Sequence, residues 1–177
     1  MDVTEWGADA VAAAGHKWLL GPWGSGFLYI DSDAAAELTP SAVGYRSVTA
    51  PNASEIDYKP GAGRFEIGST TPAAHVGLIE AIDAIEEVGV GTIEARIESL
   101  TDRLKAGIDP DRLLSPEGYE SGLVTVADDA PEATVERLAG AGIVVRSLPS
   151  PGAVRVSVHA GSTGRELETV LDHLRNR

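Results

Sequence analysis

A chain of 177 residues has the length of one ordinary domain or two small ones, and 43% apolar residues excludes a low-hydrophobicity disordered chain. No apolar run approaches the ~20 residues of a membrane helix, and a formal charge of −13 repels phosphate and anionic lipid, so neither nucleic acid nor a membrane is an expected partner. With no cysteine, disulfides, thiolate metal sites and a cysteine nucleophile fall away.

In chain order, Ala8 to Ala14 and Gly24 to Ile30 read as buried strands. Residues 39–72 carry Pro40, Pro51, Pro60, Gly61, Gly63 and Pro72 with little periodicity, the mark of a long site-forming loop. Apolar residues then recur at Leu78, Ile79, Ile82, Ile85 and Val88, and after Gly89-Val-Gly at Ile93, Ile97, Leu100, Leu104 and Ile108. This spacing predicts two consecutive amphipathic helices. The last third alternates: a strand at Gly122–Val126, a helix from Pro131 to about Ala141, strands at Ile143–Arg146 and Val154–Val158, and a helix from Thr163 opened by the capping box Thr163-Gly-Arg-Glu166. Asp109-Pro-Asp and Ser115-Pro-Glu-Gly interrupt the pattern near residues 108–116, where a small α/β unit begins.

Three lysines stand against eleven arginines and 27 acidic residues. Carboxylate-rich surfaces stay hydrated when salt screens repulsion, and the composition resembles that of salt-loving microbes. The N-terminus has neither the basic nor the apolar region of a secretory signal, so a cytoplasmic location is expected. His75, His159 and His173 show no ligand spacing, and no metal site is expected. Trp6, Trp18 and Trp23 are expected in a core or an interface, Asp9 as a local structural carboxylate, and the acidic helix 80–103 as a solvated face.

The most informative stretch is Gly15-His-Lys-Trp-Leu-Leu-Gly-Pro-Trp-Gly-Ser-Gly26. Burying an ammonium among apolar residues depresses its pKa and makes it a nucleophile able to form a Schiff base with a carbonyl. The spacing alone equally accommodates a lysine that snorkels to solvent from a glycine-rich corner. Further on, Arg64-Phe-Glu-Ile-Gly-Ser-Thr70 places hydroxyls beside glycine backbone, suited to phosphate. Ser69 and Thr70 equally suit a cap for the helix near Pro72, with Arg64 paired to a surface carboxylate. Arg146 ends one strand and Arg155 lies within another; either guanidinium fork fits a carboxylate. Alternation with Val154, Val156 and Val158 also permits Arg155 to point to a solvated face.

The run from Asp9 through Gly15-His-Lys17 to Ile30 closely resembles the lysine segment of the class V aminotransferase family. These are pyridoxal phosphate (PLP) enzymes of the aspartate aminotransferase fold type that include cysteine desulfurases, kynureninases and isopenicillin N epimerase-like proteins. The resemblance implies an α/β fold: a partial PLP-dependent transferase major domain followed by a small C-terminal α/β domain. It divides the chain into a remnant of the cofactor domain (1–71), connecting helices (72–108) and a small domain (109–177). It implies pyridoxal 5'-phosphate as cofactor, Lys17 as the lysine of the internal aldimine, and His16 on the cofactor phosphate. Arg64–Thr70 resembles the family's Arg-Phe-Glu-x-Gly-Thr motif, whose hydroxyl reaches the phosphate of a neighbouring subunit; Ser69, with Thr70 beside it, takes that place and implies a homodimer. Arg155 matches the arginine for the substrate α-carboxylate and Arg146 the arginine preceding the active-site loop. Ala14 departs from the hydroxyl residue that desulfurases carry there, removing a phosphate hydrogen bond.

Segment 147–154 lacks the cysteine of desulfurases, which excludes sulfur transfer through a protein persulfide there. The family's phosphate-binding helix N-terminus, the ring stacked on the pyridine and the aspartate on its nitrogen have no counterpart in residues 1–14. The expectation is therefore a C-terminal half, truncated or one member of a split pair, weak or inactive alone. The expected substrate is a small molecule, an amino acid or related amine, with transamination, elimination and racemisation all open. A noncatalytic dimerisation or assembly module is the alternative.

Overall fold

The structure is a computed structural model that describes Val3 and residues 5–175. The chain forms two compact units, Met1–Glu87 and Val88–Arg177. Among the described residues no helix is long and apolar enough to cross a membrane.

In the first unit, β1 (Ala10–Ala14) and β2 (Gly26–Ile30) form an antiparallel two-stranded sheet, with Ala10 opposite Ile30 and Ala14 opposite Gly26. Every residue of both strands is half-buried or exposed, which corrects the expectation of buried strands. An isolated pair of strands has too few neighbours to cover both faces. A short helix that sequence periodicity misses follows, α1 (Ser32–Glu37). Asp31 caps it, its carboxylate accepting from the Asp33 and Ala34 backbone N–H groups at 2.9 and 3.3 Å.

Residues 39–71 are irregular but pinned. Val48 bridges Tyr58, the Lys59 N–H donates to Ser47 O (2.9 Å), and Gly61–Phe65 form a 3-10 turn. Helix α2 (Pro72–Val88) completes the unit and buries Ala74 and Leu78.

The second unit opens with α3 (Val90–Ala106) and continues with β3 (Leu123–Ala127), α4 (Pro131–Gly140), β4 (Arg146–Pro149), β5 (Gly152–Ser157) and α5 (Gly164–Arg175). Its antiparallel sheet has the order β3-β5-β4. Val124, Val126 and Val156 join Leu100, Leu104, Leu138, Leu167 and Leu171 from the helices in one core. The capping box forms as expected: Thr163 N–H donates to the Glu166 carboxylate (2.7 Å) and Glu166 N–H to Thr163 Oγ1 (3.3 Å).

The expected strand Ile143–Arg146 is displaced, since pairing begins only at Arg146. Helix α4 ends in a Schellman motif in which Gly142 N–H donates to Ala139 O and Ile143 N–H to Leu138 O, both at 2.9 Å. The Ile143 N–H is thereby taken by the helix end, and Val144 is left 93% exposed.

Candidate functional site

The lysine segment is an eleven-residue connection between β1 and β2 that closes on itself. Gly15 N–H donates to Ser25 O (2.9 Å), Gly21 N–H to Gly15 O (2.8 Å) and Leu20 N–H to Lys17 O (3.0 Å). The Ser25 hydroxyl donates to Pro22 O (2.6 Å). Leu20 adopts a left-handed backbone (φ 57°), a conformation costing a leucine about 1–2 kcal/mol. A side chain at Gly15 would strike the Ser25 hydroxyl and would lie 2.8 Å from the Leu78 methyl on α2. Glycine at this position therefore lets the turn seat against the helix.

Within this turn the His16 ring stacks on the Trp23 indole, with centroids 4.1 Å apart and planes 16° from parallel. His16 Nδ1 is buried and has no hydrogen-bond partner, a state that costs free energy unless a ligand or water completes it. Lys17 is exposed, as in the alternative of a lysine that reaches solvent from a glycine-rich corner, and its ammonium is not buried. The apolar residues flanking it do not enclose it, because Trp18, Leu20 and Trp23 are themselves exposed, Trp23 by 83%. None of the three tryptophans occupies a core.

The Arg64–Thr70 segment is held from a turn that sequence reasoning misses. Ser47, fully buried, accepts from Gly44 N–H (3.1 Å) and donates to Glu66 O (2.7 Å). The Tyr45 hydroxyl is hydrogen-bonded to the Ser69 hydroxyl. Thus Ser69 is tied to Tyr45, while Thr70 is exposed. Among the described residues Arg64 is not paired with a surface carboxylate. Its guanidinium donates to Ala35 O (2.6 Å), Leu38 O (3.3 Å) and Lys59 O (3.2 Å), neutralising the carbonyl end of α1. Gly44-Tyr-Arg-Ser47 carries no periodic or motif signal; only the fold reveals that it supports Ser69.

In the second unit, Val154, Val156 and Val158 are buried, and Arg155 leaves the opposite face of β5 half-buried. Directly opposite it on β4 is Arg146, exposed, and opposite it on β3 is Thr125. Arg155 Nε is buried and without a partner. The segment between the arginines, expected as a short active-site loop, is a hairpin that pairs Pro149 with Gly152 around Ser150-Pro151. Lys17, His16, Ser69 and Thr70 thus belong to the first unit, whereas Arg146 and Arg155 belong to the second.

Lys105, a residue the sequence does not distinguish, is buried with its ammonium donating to Pro116 O (2.8 Å) and Gly118 O (2.7 Å). It organises the segment leading to β3. Burial, then the carboxylates of Glu94, Glu98 and Asp102, push the Tyr119 hydroxyl pKa up. The histidine rings of α2 and α5 are held locally: Nδ1 of His75 donates to Thr71 O (3.0 Å) and Nδ1 of His173 to Thr169 O (2.9 Å).

The model of the family described as aminotransferase class-V matches residues 1–169. Isopenicillin N epimerase of Streptomyces clavuligerus is 31% identical over 193 aligned residues, covering 98% of this chain and 48% of that protein. A probable cysteine desulfurase of Halobacterium salinarum is 33% identical across 70% of this chain and 30% of its own length. Among solved structures, a C-DES lysine-to-alanine mutant with glycine covalently linked to the PLP cofactor superposes with a TM-score of 0.87 at 27% identity, covering 98% of this chain and 47% of that one. The apo cysteine desulfurase from Thermococcus onnurineus NA1 gives 0.86 at 28% identity, with 98% and 48% coverage. The chain therefore has the α/β fold of the C-terminal part of such enzymes and spans about half the length of the longest-matching relatives. With the matched family model extending over nearly all of its residues, the chain belongs to the class-V aminotransferase family.

Proposed function

We propose that this chain carries part of the site of a pyridoxal phosphate enzyme acting on an amino acid. The observation that carries this reading is the self-closed turn that displays Lys17 beside His16, whose Nδ1 lacks a partner. An exposed primary amine on a fixed turn fits covalent attachment of an aldehyde cofactor, and an orphaned ring nitrogen fits an added hydrogen-bonding group. When bound, the cofactor supplies an electron sink for bonds at the substrate Cα. Lys17 holds it and moves the Cα proton on Nζ; His16, Ser69 and Thr70 hold its phosphate. Tyr45 fixes the Ser69 hydroxyl, and Arg155 binds the substrate carboxylate through its fork, with Arg146 beside it.

In this reading residues 1–71 belong to the cofactor domain, 72–108 connect, and 109–177 form the small domain. Because the relatives are about twice as long, the 177 residues by themselves turn over amino acids weakly or not at all. No persulfide is carried on the Ser147–Val154 hairpin, which has no thiol. The acid-rich, lysine-poor composition supports a salt-adapted protein. A second reading, a noncatalytic module that dimerises or docks on a partner, draws on the exposed Trp6, Leu20, Trp23 and Phe27. Size-exclusion chromatography with and without a co-expressed upstream segment separates the two.

The direct test adds pyridoxal phosphate to the purified chain, reduces with borohydride and maps the adduct by mass spectrometry. The competing amines are the N-terminus, Lys59 and Lys105, and Lys105 is buried. The expected adduct is on Lys17 and disappears in Lys17→Ala. No adduct, or one equally on Lys59, overturns the proposal; robust turnover by the chain alone overturns its incompleteness.

A further inference from the structure

The Trp23 indole is 83% exposed and yet lies flat on another ring. Burial does not account for its place, since a side chain so open removes little apolar surface from water. Its backbone is fixed without it. Residues 22–25 form a turn closed by the Ser25 N–H on Pro22 O (3.2 Å), and the Ser25 hydroxyl donates to the same oxygen (2.6 Å). Gly24 takes the third position with φ 84°, the left-handed backbone that a type II turn places there. An added Cβ at Gly24 would meet nothing, so the glycine serves the backbone rather than a close approach. The turn is seated on α2, where a Cβ at Gly77 would lie 2.5 Å from the Pro22 ring.

The His16 end is fixed as firmly. Gly15, immediately before it, is buried, and its N–H donates to Ser25 O (2.9 Å), so Ser25 belongs to both anchors. Two backbones tied to one serine set the indole and the imidazole face to face, 4.1 Å between centroids and 16° between planes. A stack occupies a face of the imidazole, whereas its nitrogens bond in the plane of the ring. Nδ1 keeps no partner, so the contact orients His16 without using that atom. A histidine free to rotate loses rotamer freedom when it grips a ligand, which weakens binding by about two- to tenfold for one immobilised side chain. Here the indole removes that freedom beforehand.

We infer that Trp23 is a positioning residue for the cofactor phosphate, acting through His16, whose ring it holds in one orientation. The inference rests on the function proposed above, in which His16 holds that phosphate. In the test the purified chain is treated with pyridoxal phosphate or with pyridoxal, which lacks the phosphate, and reduced with borohydride. The Lys17 adduct is then quantified by mass spectrometry against the Lys59 adduct of the same sample, and the ratio between the two aldehydes gives the phosphate preference of Lys17. Trp23→Ala lowers this preference about two- to tenfold. Because Gly24, Ser25 and Pro22 hold the turn, the substitution spares the backbone. Trp23→Phe, which keeps a ring, restores most of the preference, and in a His16→Ala background Trp23→Ala changes nothing further. With no aldehyde present, the carbon-bound ring protons of His16, assigned by their loss in His16→Ala, lose the indole ring-current shift in Trp23→Ala. An unchanged preference, an equal loss in the His16→Ala background, no rescue by phenylalanine, or unmoved His16 resonances overturns the inference. A parent chain without a Lys17 adduct overturns the proposed function and this inference with it; an intact adduct whose phosphate preference ignores Trp23 overturns this inference alone.

Discussion

The two units use similar lengths of chain to different ends. In Val88–Arg177 a three-stranded sheet is covered on one face by three helices, and Leu104, Leu138, Val124 and Val126 are fully buried. In Met1–Glu87 the buried apolar side chains among the described residues are Ala35, Val48, Ala74 and Leu78, while Leu20, Trp23, Phe27 and Ile79 are exposed. The first unit is held mainly by directional bonds: caps, the Arg64 guanidinium on three carbonyls of α1 and its neighbours, and the closed lysine turn. The second is held by a shared apolar core. A core spreads its stabilisation over many contacts, whereas a bonded turn depends on a few atoms, and those are the atoms beside the candidate chemistry.

This contrast can be broken most forcefully in the core. Leu104→Ala removes a fully buried side chain and is expected to cost about 2–5 kcal/mol. Leu78→Ala, in the thinner first unit, is expected to cost at most about 2 kcal/mol, at the low end of the same range. Hydrogen exchange resolved to each unit checks both, and an equal cost would erase the contrast.

Gly44→Ala tests the bonded unit next. Its methyl would run into the Ile67 carbonyl, a backbone atom that moves only with the segment carrying Ser69. The expected cost is about 1–3 kcal/mol, with loss of protection at residues 64–70. A variant as stable as the parent would show that the close approach is dispensable.

A smaller effect belongs to the α5 capping box. Thr163→Ala is expected to cost about 1 kcal/mol in chemical denaturation. Hydrogen bonds from the Thr163 backbone and then its hydroxyl hold the Glu166 carboxyl below its usual range. Because the folded-state value is the lower one, the stabilisation is full above the ordinary glutamate range and drains away as pH falls through the depressed value. Glu166→Gln should flatten that acid limb; an unchanged limb would assign the loss to other carboxylates.

Much of the second unit is legible in sequence. The periodicity of Leu100 and Leu104, the valine alternation of β5 and the Thr163–Glu166 box each report a local rule that tertiary packing leaves in force. The edge of β4 is not legible, because the strand starts where the Schellman motif of α4 releases the backbone, a competition between neighbouring elements for Ile143. In the first unit the Gly-His-Lys motif marks the turn but not its surroundings. Exposure of Lys17 and orphaning of His16 Nδ1 depend on which distant residues arrive. The roles of Tyr45 and Ser47 in holding Ser69 and Glu66 rest on contacts nineteen or more positions apart, beyond any periodic signal.

The sequence by itself determines the family resemblance, the order of most helices and strands, and the absence of a thiol in the β4–β5 hairpin, because these are properties of residue identity and short-range spacing. Only the tertiary structure decides that Arg146 and Arg155 oppose each other across the β4–β5 ladder and that Lys17 is exposed on its turn. Register and enclosure are relations between segments, and no single segment encodes them.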